Sequence, residues 1–147
     1  GAMLGAWFGG LLAQNRIHAG WNTDKTRKLT ITLGCMIMLP ALLAMANPGG
    51  PTTAVIIMAI ILFGFQTAIG NVQTLPSDFF SGKTVGTLAG FSGMAAKLTA
   101  AGLTYLVPWL TMGGNYTPAF VIGAALSIIA LASIWILCPK IELLKKN

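Results

Sequence analysis

Charged residues are scarce in this sequence, since Asp, Glu, Lys and Arg together make up only 8% of its 147 residues. Soluble globular domains carry about a quarter charged residues. Hydrophobic residues make up 55% of the chain, and its mean hydropathy is +0.78. This composition excludes a soluble domain, and it excludes a disordered segment because disordered chains have low hydrophobicity. It indicates a membrane protein, so the lipid bilayer is the first expected partner.

Acidic residues are rarer still, with three against nine Lys and Arg, which gives a net charge of +6. A basic chain can indicate a nucleic-acid partner, but such a protein needs a dense basic face on a polar body. The apolar composition leaves no such face, so we expect no nucleic-acid partner.

Motifs for catalysis and for metal or cofactor binding are also absent from the sequence. It contains no CxxC, HExxH, GxSxG or phosphate-binding loop, and its single histidine, His18, lies in a basic segment. Cys35 and Cys138 are expected to be small packing residues. The acidic residues are all expected in loops outside the membrane: Asp24, Asp78 and Glu142. The sequence therefore predicts no enzyme, no metal site and no cofactor.

Long apolar runs are abundant, and they predict the fold class. No charged residue occurs between Lys28 and Asp78, and one spanning helix needs about 20 apolar residues. The run Asn47-Pro48-Gly49-Gly50-Pro51 divides this interval, because Pro and Gly end helices. The same reasoning along the chain predicts full spans at 29–46, 52–75, 84–112 and 117–138, followed by a tail at 139–147. The predicted fold is all-α, a polytopic membrane helix bundle.

An apolar segment at 1–14 precedes these spans and is too short to cross a bilayer. We interpret it as the second half of a helix, which makes the chain a piece of a longer membrane protein. A signal peptide is the alternative interpretation, but here the basic residues follow the apolar run instead of preceding it.

The basic residues predict the orientation of the spans. Eight of the nine fall in the segments 15–28 and 76–86 and in the tail, which alternating spans place on one side of the membrane. The hairpins 47–51 and 113–117 contain none. The positive-inside rule then predicts a cytoplasmic C-terminus in the cell (inner) membrane.

Glycine and polar residues sort the spans into two kinds. Gly1, Gly5 and Gly9 repeat at four-residue spacing, which predicts a close approach of two helices along that stripe. The spans 29–46 and 117–138 carry few polar groups, so we expect both to face lipid.

Lys97 is the ninth basic residue, and it lies inside a predicted span. It is about 20 Å along the helix axis from Thr84, on the same face as Gly86, Gly90 and Gly93. Snorkelling to the interface is the alternative role. From mid-membrane, however, a cation needs a water-filled cavity or an anionic partner. Lys97 is therefore a candidate ligand for a carboxylate.

Polar side chains on the span 52–75 fall within an arc of about 160°: Gln66, Thr67, Asn71, Gln73 and Thr74. They either line a cavity and bind hydroxyl groups or only form hydrogen bonds between helices. The combination with a cation predicts a binding site for a polyhydroxylated organic anion, formed by Lys97, Gln66, Asn71 and Gln73.

Several of these residues also form longer motifs: Gly64-Phe65-Gln66, Asn71, Ser77-Asp78-Phe79-Phe80 and Val85-Gly86-Thr87-Leu88-Ala89-Gly90-Phe91-Ser92-Gly93-Met94. The pattern resembles helices ten and eleven of the anion:cation symporter family of major facilitator transporters, in its sugar-acid (hexuronate and galactonate) members. Gly9-Gly10, Gly20 and Arg27-Lys28 resemble the family's loop between helices eight and nine. There the family has an Asp-Arg pair where this chain has Gln14-Asn15.

The resemblance implies that the chain runs from the end of helix eight (1–14) through helices nine, ten and eleven to helix twelve (117–138). It also implies a twelve-helix bundle in which helices eight, ten and eleven approach a central cavity. The missing N-terminal half would then be the partner of this part. The implied activity is uptake of an organic anion, a uronate or other sugar acid, coupled to a cation, expected to be H+.

Two other functions fit the composition. One is a stand-alone membrane scaffold or assembly subunit, in which Lys97 pairs with an acidic residue of a partner helix. The other is a major facilitator exporter of drugs or lipids, whose cavity would be more apolar.

Overall fold

A computed structural model describes residues 1–80 and 83–138 of the chain. The described residues form helices and connecting turns, with no strand among them. The helices are α1 (Ala2–His18), α2 (Thr23–Ala44), α3 (Pro51–Gln73), α4 (Leu75–Phe79), α5 (Lys83–Leu110) and α6 (Thr117–Leu137). The tail 139–147 lies outside the described residues, and so does Glu142.

Three helical segments within the described residues are long and apolar enough to cross a bilayer: Thr23–Ala44, Pro51–Phe79 and Thr117–Leu137. These segments confirm the expected all-α, polytopic membrane fold. The helix α5 has 28 residues, about 42 Å at 1.5 Å per residue. Its glycines, threonines and Lys97 make it less apolar, so the span expected at 84–112 stays a prediction.

The helix α2 begins at Thr23, earlier than the span expected at 29–46, because Asn22 caps it. The Asn22 side-chain oxygen accepts a hydrogen bond from the Asp24 backbone N–H at 3.0 Å, which satisfies one otherwise unpaired donor. The expectation that Asp24 and Asp78 lie in loops is therefore wrong. Asp24 is in the first turn of α2, and Asp78 belongs to the short helix α4.

The helix α3 packs against both α1 and α2 and is in backbone contact with each. A Cβ atom added at Gly5 of α1 would collide with the Phe63 carbonyl oxygen of α3. Gly34 of α2 and Gly64 of α3 face each other, and a Cβ added at Gly34 would lie 2.6 Å from the Gly64 carbonyl oxygen. The glycine stripe of α1 thus packs against α3, as its spacing predicts.

The helix α6 also packs against α2. Met38 and Leu42 of α2, Ile61 of α3 and Ala124 of α6 form one buried apolar cluster. Most of α6 is exposed or half-buried in the described structure, where only Ala124 of this helix is buried, and its contact with lipid stays a prediction. On α2, Gly34 brings one face against α3 and α6 covers another, so only the remaining face, which includes the exposed Leu29 and Met36, is open to lipid.

The helix α5 is the least packed element of the described residues. Its main neighbours are α4 and α6, and nearly all of its described side chains are exposed. A Cβ added at Gly86, Gly90 or Gly93 would have no neighbour within 4 Å. The glycine face of α5 is therefore open, unlike that of α1.

The α1–α3 contact predicts the effect of adding a methyl group at Gly5. Gly5→Ala should lower the stability of the full-length protein by about 1–3 kcal/mol, because the Phe63 backbone cannot move aside as a side chain would. Thermal unfolding in detergent measures this loss. The matched control is Gly10→Ala on the same helix, where a Cβ has no neighbour within 4 Å. Equal stability of the two variants would contradict the close packing of α1 on α3.

Candidate functional site

Lys97 lies near the middle of α5, one turn beyond Gly93, and its side chain is exposed. Among the described residues, 1–80 and 83–138, no carboxylate lies within ion-pair distance of the Lys97 ammonium group. A shallow depression of about 280 Å³ follows the preceding turns of the same helix, lined by Gly86, Thr87, Gly90, Phe91 and Met94. The open face of α5 therefore combines backbone-lined space with a positive charge at mid-helix.

The polar arc of α3 divides into two parts with different surroundings. Thr67 and Asn71 are buried against the neighbouring helices, whereas Gln66 is half-buried and Gln73 is exposed. At 100° per residue, Gln66 and Gln73 lie about 20° apart around the helix axis, and Asn71 lies about 140° from Gln66. Gln66 and Gln73 can thus face a common ligand, while Asn71 faces the other helices.

Asn71 connects three helices and is only 3% exposed. Its side-chain nitrogen donates to the carbonyl oxygen of Thr67 at 3.0 Å and to that of Gly9 in α1 at 3.5 Å. Its side-chain oxygen accepts from Arg27 of α2 at 2.9 Å. The Asn71 amide is therefore hydrogen-bonded within the bundle, and a ligand would reach it only after these hydrogen bonds break.

Arg27 and Asp78 form an ion pair that sequence reasoning missed. The Arg27 Nε donates to Asp78 Oδ2 at 2.9 Å, while the same guanidinium also holds Asn71. Both charged side chains are mostly buried, at 16% and 18% exposure. The available signal was that Arg27-Lys28 and Ser77-Asp78 are both motif segments expected on one side of the membrane. We name Arg27, Asn71 and Asp78 the polar clamp.

The structure does not bring all four predicted site residues to one place. Gln66 and Gln73 share one side of α3, Asn71 belongs to the polar clamp, and Lys97 is on α5, whose main neighbours are α4 and α6. The described residues thus present two separate surfaces, a cationic one on α5 and an amide-bearing one on α3. No group of three His, Cys, Asp or Glu side chains that could hold a metal occurs within the described ranges.

Comparison with known proteins identifies similar chains. The sequence is 29% identical over 117 residues to the hexuronate transporter of Escherichia coli (strain K12), and equally to that of Escherichia coli O157:H7. The alignment covers 79% of this chain but 27% of each relative, so the chain spans about a quarter of their length. The resemblance to sugar-acid transporters is confirmed, and the similarity is to transporters, which are not enzymes.

No family model matches the chain, and no solved structure matches it. Together with the three apolar helical segments, the similarity to transporters supports a multi-pass membrane protein.

The polar clamp predicts a measurable coupling between Arg27 and Asp78. We expect Arg27→Gln and Asp78→Asn each to lower the stability of the full-length protein by about 1.5–3 kcal/mol, the usual range for charged hydrogen bonds. The double variant should lose less than the sum, because the second substitution removes a charge that is already unpaired. Thermal unfolding of all four proteins gives the coupling energy. Strictly additive losses would show that the two residues act independently.

Proposed function

We propose that this chain is part of a transporter that carries an organic anion, a uronate or another sugar acid, into the cell. The similarity to hexuronate transporters over 79% of the chain is the observation that supports this most directly. It also favours transport over a stand-alone scaffold, since both relatives are named as transporters. We further propose cation-coupled alternating access, with H+ as the coupling cation.

In this proposal the chain forms the latter part of the C-terminal half of a twelve-helix major facilitator bundle. The helices α1, α2, α3, α5 and α6 correspond to helices eight to twelve. The N-terminal half of the same transporter is then the partner that completes the central cavity. The open glycine face of α5 supports this arrangement, because side-chain-free positions allow close approach of another helix or a ligand.

Lys97 binds the substrate carboxylate in the proposed mechanism. A lysine at this depth is costly unless it meets water or an anion, and the described residues offer it no acidic partner. Charge-assisted hydrogen bonds are about twice as strong as neutral ones, so this contact would dominate recognition.

Gln66 and Gln73 bind the hydroxyl groups of the sugar acid. Amide side chains carry both donors and acceptors, so they can match a hydroxyl in either role. Asn71 joins them only when the polar clamp opens, because its donors and its acceptor are engaged in the present conformation. The amides of α3 and the cation of α5 would therefore meet around substrate as the transporter changes conformation.

We expect the coupling proton to be carried by acidic residues other than Asp24 and Asp78, the two acidic residues among the described ones. Asp24 pairs with Lys28 at 2.8 Å and Asp78 pairs with Arg27 at 2.9 Å. Both carboxylates are thus engaged in ion pairs within the bundle.

Removing the charge at position 97 is expected to reduce transport strongly. In the full-length protein, Lys97→Ala should reduce uptake of radiolabelled glucuronate by proteoliposomes about 10- to 100-fold, from loss of about 1.5–3 kcal/mol of charged hydrogen bonding. Lys97→Arg should retain part of the activity because it keeps the charge. The matched control is Leu98→Ala, since Leu98 is the next residue on α5 and is also exposed. Normal uptake by the Lys97→Ala variant would show that Lys97 does not bind the substrate.

The proposed orientation can be tested by cysteine labelling. In a Cys138→Ser background, cysteines at Asn47 and Asn115, both exposed, should react in intact cells with a membrane-impermeant maleimide. A cysteine at Lys25 should react only after lysis, because the basic side is expected to be cytoplasmic. The reverse labelling pattern would show that the orientation is opposite to the one proposed.

A further inference from the structure

A groove between the first half of α2 and the end of α6 is separate from the polar clamp and from Lys97. Its volume is about 770 Å³, and its lining comes from α2, from the turn before it and from the end of α6. The lining residues are Trp21, Asp24, Lys25, Lys28, Leu29, Thr32, Leu33, Met36 and Trp135. On α2 they recur at helical spacing, so they form one stripe along the axis.

The polar end of the groove is held in place by specific contacts. Lys28 is only 6% exposed, with its ammonium nitrogen 2.8 Å from Asp24 and 5.6 Å from the centre of the Trp135 ring. The Trp135 ring nitrogen donates to the Thr32 hydroxyl at 3.2 Å. These contacts fix the end of α6 against α2 and orient a cation at the groove.

The charge balance at this end is positive. Lys25 and Lys28 line the groove together with a single carboxylate, Asp24. Arg16 adds a further cation, since its guanidinium lies 4.6 Å from the centre of the Trp21 ring. An anion is therefore the complementary occupant.

The rest of the groove is apolar and follows the apolar part of α2, which is long enough to cross a bilayer. Leu29, Leu33 and Met36 continue the stripe, and Leu29 and Met36 are exposed in the described structure. From Lys25 to Met36 the stripe extends about 16 Å along the helix axis. This length covers the distance from the headgroup region to well inside the hydrocarbon core. Trp21 and Trp135 lie at the polar end, where tryptophan is favoured at membrane interfaces.

We propose that this groove binds one anionic phospholipid, with its phosphate at Lys25, beside the Lys28–Asp24 ion pair, and an acyl chain along Leu29, Leu33 and Met36. Basic pockets between membrane helices recognise lipid headgroups in this way. The apolar stripe favours a phospholipid over free phosphate, which would leave it uncovered, and over a sugar acid, whose hydroxyls would lack partners there. The bound lipid joins α2 to the end of α6. This inference needs the chain to be in a membrane but does not depend on what it transports.

Native mass spectrometry of the delipidated full-length protein tests the proposal. Added dioleoyl-phosphatidylglycerol should be retained more strongly than dioleoyl-phosphatidylcholine. Lys25→Gln should weaken phosphatidylglycerol retention about fivefold, the effect of about 1 kcal/mol per basic residue near an anionic headgroup. Lys25→Arg should keep it. Lys25 is exposed, so neither variant should disturb folding.

A second pair of variants tests the apolar stripe. Met36→Trp should fill the groove and reduce phosphatidylglycerol retention, whereas Leu126→Trp, at an exposed position of α6 outside the groove, should not. Equal retention of the two lipids, or unchanged retention in both Lys25→Gln and Met36→Trp, would overturn the proposal. Competition by millimolar inorganic phosphate alone would also overturn it, because it would show a site for a free anion. Sugar-acid uptake is not the readout, so this result is independent of the proposed transport.

Discussion

Backbone contact between α3 and its two neighbours is the constraint on which the rest of the structure depends. Helices in a bilayer gain little from hydrophobic association, so van der Waals packing and hydrogen bonds must hold them together. Gly5, Gly34 and Gly64 allow this packing, because each lies against the backbone of the facing helix. The short separation also lets Thr67 donate to the Gly5 carbonyl oxygen at 3.1 Å.

The polar clamp follows from the same geometry. Asn71 reaches Gly9 only because the glycine stripe has no side chains to keep α1 away from α3. Its oxygen then accepts from Arg27, whose guanidinium also holds Asp78 of α4. One arginine therefore joins α2, α3 and α4 at one end of the bundle. Its partners satisfy a charge that would be costly to bury alone.

The sequence predicts the parts of the fold that the bilayer itself dictates. Apolar length and helix breakers locate the helices, since a span has a fixed minimum length. Glycine spacing predicts a close helix approach along α1, but only the structure shows that α3 is the partner. The sequence pattern did not reveal that Asn22 caps α2, so Asp24 was expected in a loop although it lies in the first helical turn. The sequence did not distinguish the roles of Gln66 and Asn71. Both side chains carry an amide, which can line a cavity or form hydrogen bonds between helices, and the direction in which each residue faces decides between the two roles. Arg27 indicated topology, and only the three-dimensional structure pairs it with Asp78.

Two lysines in helices illustrate how surroundings distinguish structural from ligand-binding charge. Lys28 is buried, and Asp24 and the Trp135 ring satisfy it within the bundle. Lys97 lies about 20 Å from either end of α5, and the described residues place no acid beside it and no side chain against its glycine face. A bilayer tolerates such a cation only where water or an anion meets it. Lys28 therefore stabilises the bundle and only borders the groove beside it, whereas the charge of Lys97 is accessible to a ligand.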